Sequence, residues 1–388
     1  MADDREGKRA SLVSLALAFL KLGTIAFGGP AAHIALMEEE FVRRRGWLTQ
    51  QEFLDRLGAA NLIPGPSSTE MAIFIGHRQR GWPGLIVAGC CFIIPAAFLV
   101  GAIAAAYVRF GALPQVGGVL YAVKPVVIAV VLHAFWKLAH TAVKTIWLGA
   151  IGAGSVIALL FGADNLLVLV GAGLLAAVPP ICRKLVRRDA ASVLLSLNPK
   201  AAFGLLVMAG GTGAAPFTLW RLFLTFLKIG SVLFGSGYVL LAFLRSDFVV
   251  RLHWLTEKQV LDAVAVGQVT PGPVFTTATF IGYLLGGVPG AAVATVAIFL
   301  PGFLLVAASG PLIPKIRRSP VAGAILDGVI VGSLALMGVV TWQLGRAALV
   351  DPVTIAIACL SAVLLFAFRI NAAWLVLAAA IVGVIHGR

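Results

Sequence analysis

Apolar stretches alternate with short polar or basic loops along the chain, as at 85–108, 119–135 and 288–308. Helices of about 20 such residues span a hydrocarbon core of about 30 Å. The pattern predicts six apolar segments in each half. The first two, about 11–37 and 51–76, are interrupted by Phe27-Gly28-Gly29-Pro30 and by Pro64-Gly65-Pro66. Proline removes a backbone donor and clashes with the preceding turn, and glycine loosens what remains. At membrane depth such a break is tolerated only where the freed backbone is buried in protein or lines a cavity. These segments are therefore expected to be broken or re-entrant helices, followed by four ordinary spans.

The pattern is written twice. Pro271-Gly272-Pro273 repeats Pro64-Gly65-Pro66 at 207 positions (271 against 64). Lys21-Leu22-Gly23 matches Lys228-Ile229-Gly230, Phe27-Gly28-Gly29 matches Phe234-Gly235-Ser236, and Trp47-Leu48-Thr49 matches Trp254-Leu255-Thr256 at the same offset. Beyond the tripeptide the offset is 206, pairing Ile75-Gly76 with Ile281-Gly282, Pro83-Gly84 with Pro289-Gly290 and Trp136 with Trp342. The chain thus divides into a repeat over 1–182, a basic linker over 183–217 and a second repeat over 218–388. The apolar run 201–217 within the linker is short for a spanning helix. Loop charges favour inverted repeats. The loop at His77–Arg80 is basic while its match 283–288 is uncharged, and the next loop reverses this with Lys315, Arg317 and Arg318. Basic loops prefer the cytoplasm. One extra crossing over 201–217 gives inversion and about 13 spans; without it the repeats are parallel.

Composition agrees with an all-α polytopic membrane protein. The chain is 60% hydrophobic and 12% charged, with a mean hydropathy of +1.00, against roughly 25% charged residues in soluble domains. No secretory signal peptide is read at the start. The net charge of +14 sits in short loops, as positive-inside topology and anionic lipid require, with no nucleic-acid module. Cys90, Cys91, Cys182 and Cys359 are not spaced as metal ligands. No phosphate-binding Gly-Lys-Ser/Thr loop occurs, and no cofactor is expected.

Polar groups inside apolar segments mark candidate chemistry. Lys21 and Lys228 correspond, each two residues before a glycine. They either snorkel to the interface or face an anion. Gly28, Gly29, Gly235 and Ser236, with the turns Pro64-Gly65-Pro66 and Pro271-Gly272-Pro273, would supply free N–H groups at half-helix ends. Ser67, Ser68, Thr69 and Thr276 either cap those ends or donate to an oxyanion, and Asn61 and Gln268 offer amides before each break. Glu70 has no acidic counterpart. It is a candidate coupling group, paired with Lys21 or Arg78, or else an interfacial residue. His33, matched by Leu240, is either a second coupling candidate or a packing group. Lys124 and Tyr121 could charge a cavity. Thr49 and Thr256 read as helix caps ahead of Asp55 and Asp262.

Lys21-x-Gly23-x3-Phe27-Gly28-Gly29-Pro30, Asn61-x2-Pro64-Gly65-Pro66 and Gly81-x-Pro83-Gly84 resemble the chromate transporter family in its long, two-repeat form, over nearly the whole chain. The resemblance implies chromate efflux across a bacterial inner membrane, chromate resistance, competition by sulfate and inverted halves. The second half departs at Gly237 for Pro30 and Gln268 for Asn61. Two other classes stand beside an oxyanion carrier: a membrane enzyme acting on a lipid or prenyl phosphate, with Glu70 and Asp55 as its acids, and a channel. Oligomeric state stays open, a homodimer included.

Overall fold

The computed structural model describes residues 10–27, 29–61, 63–110, 114–186, 216–233, 239–309, 319–368, 370 and 372–386. Among them the secondary structure is helical throughout. The first half holds α1 (Leu12–Ile25), α2 (Gly29–Glu38), α3 (Gln50–Ala60), α4 (Ser67–Phe110), α5 (Pro114–Ala142), α6 (Ile146–Leu160) and α7 (Asn165–Val186). The second holds α8 (Leu219–Val232), α9 (Leu240–Leu244), α10 (Glu257–Val269), α11 (Thr277–Ser309), α12 (Pro320–Ala348), α13 (Pro352–Phe366) and α14 (Ala372–His386). Wider π-helical turns, Glu39–Arg44 and Arg245–Arg251, continue α2 and α9. Five described helices are long and apolar enough to cross a membrane, over Ser67–Phe110, Tyr121–Ala142, Asn165–Cys182, Val274–Ser309 and Pro320–Arg346.

The interrupted segments are re-entrant hairpins. Helix α3 starts on a capping box in which Thr49 and Glu52 satisfy each other's backbone, and Thr256 with Gln259 does the same for α10. Helix α3 runs inward to the Pro-Gly-Pro turn, and the first arm of α4 returns beside it. The return is fixed by Gln79, whose amide donates to the Trp47 carbonyl at 2.9 Å and accepts from Ala10 N–H at 3.1 Å. Arg78 meets Glu52 at 3.3 Å on the same flank. Helices α1 and α2 form a second hairpin, closed by Phe19 on Phe41 at 4.8 Å and by Arg45 donating to Ser14 at 3.2 Å.

The basic stretch at His77–Arg80 closes a turn inside α4, at Arg80 and Gly81 (φ 58°), after which the second arm runs back inward past the Pro-Gly-Pro tips. A Cβ on Gly76 would fall 2.2 Å from the Gly84 carbonyl. Residues eight apart on a straight helix are about 12 Å apart, so the two arms fold back on each other and only glycine admits the contact. The second repeat turns the same way at Gly286 and Gly287 (φ 60°), with Gly282 against Gly290.

The equivalent helices α5 and α12 pack antiparallel. Tyr121, near the start of α5, donates to Asp351 just past the end of α12 at 2.6 Å. Lys144, just past the end of α5, bonds Asp327 near the start of α12 at 2.7 Å. Equivalent elements lying head to tail is the signature of inverted repeats, as the loop charges predict. Against α12, α7 runs from Leu169 beside Gly332 to Ala176 beside Gly328. It therefore ends on the Lys144 side, opposite the start of α8. The expected further span over 201–217 lies outside the described residues apart from Pro216 and Phe217, which are not helical. Large apolar side chains such as Trp82, Phe98, Trp342 and Trp374 face outward, where a bilayer would cover them.

Candidate functional site

The hairpin tips of the two repeats meet. Gly65 N–H donates to the Leu233 carbonyl at 2.7 Å, and Gly272 N–H donates to the Ala26 carbonyl at 2.9 Å. Gly65 corresponds to Gly272 and Ala26 to Leu233, so each Pro-Gly-Pro turn is hydrogen-bonded to the end of the first helix of the other repeat. Both glycines have positive φ, 134° and 91°. Gly272 packs against Gly23 and Ala96 so closely that a Cβ would lie 2.6 Å from the Ala96 methyl. Pro66, Ser67, Ser68 and Thr69 are buried here, as are Pro271, Pro273 and Thr276, while Pro64 is half-buried. Gly29 opens α2 at the tip.

His33 ties the two turns together. Its Nε2 lies 3.0 Å from the Ala26 carbonyl. A carbonyl only accepts, so Nε2 carries a proton, and Nδ1 is hydrogen-bonded to the Ser68 hydroxyl at 3.2 Å. One carbonyl thus receives both His33 and Gly272. The side chain is buried, with Phe92 edge-on at 5.6 Å.

Glu70 is fully buried, and neither carboxyl oxygen has a hydrogen-bond partner. It pairs with neither Lys21 nor Arg78, since Arg78 holds Glu52, and it does not lie at an interface. The carboxyl rests on Gly65 and faces Gly302 of α11, 3.7 Å from where a Cβ would stand. The position matching Gly302 is Ala96, so the second repeat leaves out a methyl where the first inserts a carboxylate. Thr69 Oγ1 also lacks a partner. Thr276 Oγ1 donates back to the Pro273 carbonyl at 2.8 Å. Gln268 Nε2 is buried without a partner, and Asn61 is exposed at the end of α3. Gly28, Gly235 and Ser236 lie outside the described residues.

The lysines stand in two different settings. Lys228 is mostly buried and bonds Asp247 at 2.5 Å, with Arg251 Nε 3.4 Å from the same oxygen. Lys21 is exposed. Its charge, with those of Arg45 and Arg44, acts on Glu40, the residue matching Asp247. Glu40 bonds Arg45 at 2.7 Å, and Arg44 stands 3.4 Å away. Sequence reading passed over Glu40/Asp247 and Arg44/Arg251, although the same 207 diagonal pairs them. It also missed that Asp262 is buried between Lys124 at 3.1 Å and Tyr107 at 2.9 Å. Those partners come from the first repeat, and Tyr107 and Lys124 match Ile313 and Ile330, which cannot make such bonds. Asp55, the equivalent of Asp262, is exposed.

Among the described residues no three His, Cys, Asp or Glu side chains gather as metal ligands. A cavity of about 680 Å³ opens between the α6–α7 loop, the turn after α9 and α12.

A family model described as chromate transporter matches residues 13–178 and again 220–384. The chromate transport protein of Cupriavidus metallidurans is 33% identical over 97% of this chain and 93% of its own. The probable chromate transport protein of Synechococcus elongatus is 31% identical over 88% of this chain and 86% of its own. The chromate transport protein of Pseudomonas aeruginosa is 29% identical over 94% and 90%. No solved structure matches. With the family match repeated over both halves, and the multi-pass helical fold that carries it, this chain is a transporter rather than an enzyme and belongs to the chromate transporter family.

Proposed function

We propose that the protein exports chromate across the bacterial inner membrane by alternating access, with the meeting point of the hairpin tips as its central site, and so confers chromate resistance. The observation that carries this reading is the reciprocal pair of bonds from Gly65 to Leu233 and from Gly272 to Ala26. A turn bonded to the opposite repeat transmits movement of one repeat to the site of the other, as a carrier with inverted repeats needs. Helix starts at Gly29 and Ser67 add positive dipole ends there. Lys21 and Lys228 attract the dianion, and Ser67, Ser68, Thr69, Thr276, Asn61 and Gln268 are the donors that would shed its hydration. Sulfate, of the same charge and shape, competes. A potential negative inside drives a dianion outward at about 2.3 kcal/mol per charge per 100 mV.

Glu70 is the coupling group in this reading, because its carboxyl is fully buried beside the turn with neither oxygen hydrogen-bonded. Purified protein in liposomes tests the whole: chromate uptake should saturate and rise with internal sulfate. Flux that neither saturates nor exchanges makes the protein a channel. In Glu70→Gln the pH dependence of transport should vanish, and unchanged coupling would remove Glu70 from the mechanism. Undiminished transport in both Lys21→Ala and Lys228→Ala would remove the lysines.

A further inference from the structure

The 680 Å³ cavity is lined by Asn165, Arg245, Ser246, Arg251, His253 and Gln343 among others. It adjoins a narrow pocket of about 30 Å³ that shares Asp164, Asn165, Ser246 and Arg251 with it and is floored by Lys228 and Asp247. Phe217, just before α8, sits edge-on to Trp254 at 5.2 Å, which places neighbouring His253 at the outer end of α8. Lys228 lies nine residues further along that helix than Leu219, about 13 Å inward. The cavity therefore runs from the surface of the second repeat toward Lys228.

Its charges are unevenly committed. Asp164 accepts from the first N–H groups of α7, Leu166 at 2.9 Å and Leu167 at 3.2 Å. Arg245 is held by Glu257 at 2.7 Å. Lys228 and Arg251 share the single carboxylate of Asp247, while the other carboxylate of the lining, Asp164, is turned to the α7 N–H groups. The Arg251 Nε makes no hydrogen bond, and Asp247 Oδ2, itself buried, has no partner. His253 is the one non-glycine residue with positive φ among the described residues, at 53°. The matching position in the first repeat is Gly46, with φ 62° and nothing near its side. His253 thus takes a left-handed backbone that glycine adopts without strain, and its side chain lines the cavity.

We propose that this cavity is a peripheral oxyanion site, in which Arg251 and His253 hold the dianion at the mouth before it replaces Asp247 on Lys228. The proposal rests on the oxyanion reading above and makes the second repeat the side of first or last contact, since the first repeat has Gly46 in place of His253.

The test uses the full chain with chromate and, separately, sulfate, by titration calorimetry in detergent and by initial rates in liposomes. His253→Gly matches the first repeat and relieves the strained backbone, so it should melt no lower than wild type. Its KM and Kd for chromate should rise about tenfold, the share of one hydrogen bond to a charged group. Arg251→Gln should raise both at least as much; if it fails to fold, His253→Gly decides alone. Wild-type binding and transport with an unchanged KM in His253→Gly overturns the peripheral site and leaves the central one standing. A wild-type protein that binds neither anion overturns both.

Discussion

Gly272→Ala is the sharpest probe of the junction between the repeats. At φ 91° an alanine is strained by about 1–2 kcal/mol. Its Cβ would also stand 2.6 Å from the Ala96 methyl and 3.2 Å from the Gly23 carbonyl, both on packed helices. Overpacking of this kind costs about 1–3 kcal/mol, so the variant should lose about 2–5 kcal/mol. Gly302→Ala is the control, because its Cβ would meet only Glu70, at an ordinary 3.7 Å, within a helix. There alanine should be neutral or stabilising by up to about 1 kcal/mol. Thermal melts in detergent, followed by tryptophan fluorescence, read both. In a double-mutant cycle, Ala96→Gly should offset Gly272→Ala by about 1–3 kcal/mol, because it removes the methyl in the way. Wild-type stability in Gly272→Ala would refute the close approach of the tips, and an additive cycle would show that Ala96 is not what the new Cβ meets.

Asp262→Ala leaves Lys124 buried without its counter-charge and should cost about 3–5 kcal/mol; Asp262→Leu with Lys124→Met should regain most of it in the same melts. Gln79→Ala orphans Ala10 N–H and the Trp47 carbonyl at the open end of the hairpin, at about 1–3 kcal/mol for each buried group, and should speed proteolysis at 45–50. Glu40 is held below the ordinary carboxylate range by the Arg45 hydrogen bond first, against partial burial, and by the charges of Arg45, Lys21 and Arg44. A lowered folded value gives stability that is present above the unfolded pKa and lost as pH falls through the folded one. Glu40→Gln should therefore melt below wild type at neutral pH, with the gap closing in acid; a gap independent of pH would count against the ion pair.

The sequence by itself determined the membrane class, the duplication and the places where helices break. Those features are local: apolar length, proline, glycine and a fixed offset are properties of neighbouring residues. It also gave the two caps at Thr49 and Thr256, since a capping box spans four residues. Loop charge pointed to inversion, but the antiparallel contact of α5 with α12 rests on Tyr121 with Asp351 and Lys144 with Asp327, pairs 230 and 183 residues apart. Only the tertiary structure decided what the breaks touch. Gly65 finds Leu233 and Gly272 finds Ala26 because the repeats pack around an approximate two-fold axis, which no single repeat encodes. The same packing made equivalent residues unequal. Lys228 is neutralised by Asp247 while Lys21 is exposed, Asp262 is buried on Lys124 and Tyr107 while Asp55 is exposed, and Glu70 fills space that Gly302 leaves open. A side chain's charge is written in the sequence; the burial that decides whether that charge is paired, protonated or available to a substrate is fixed by whichever helix arrives opposite it.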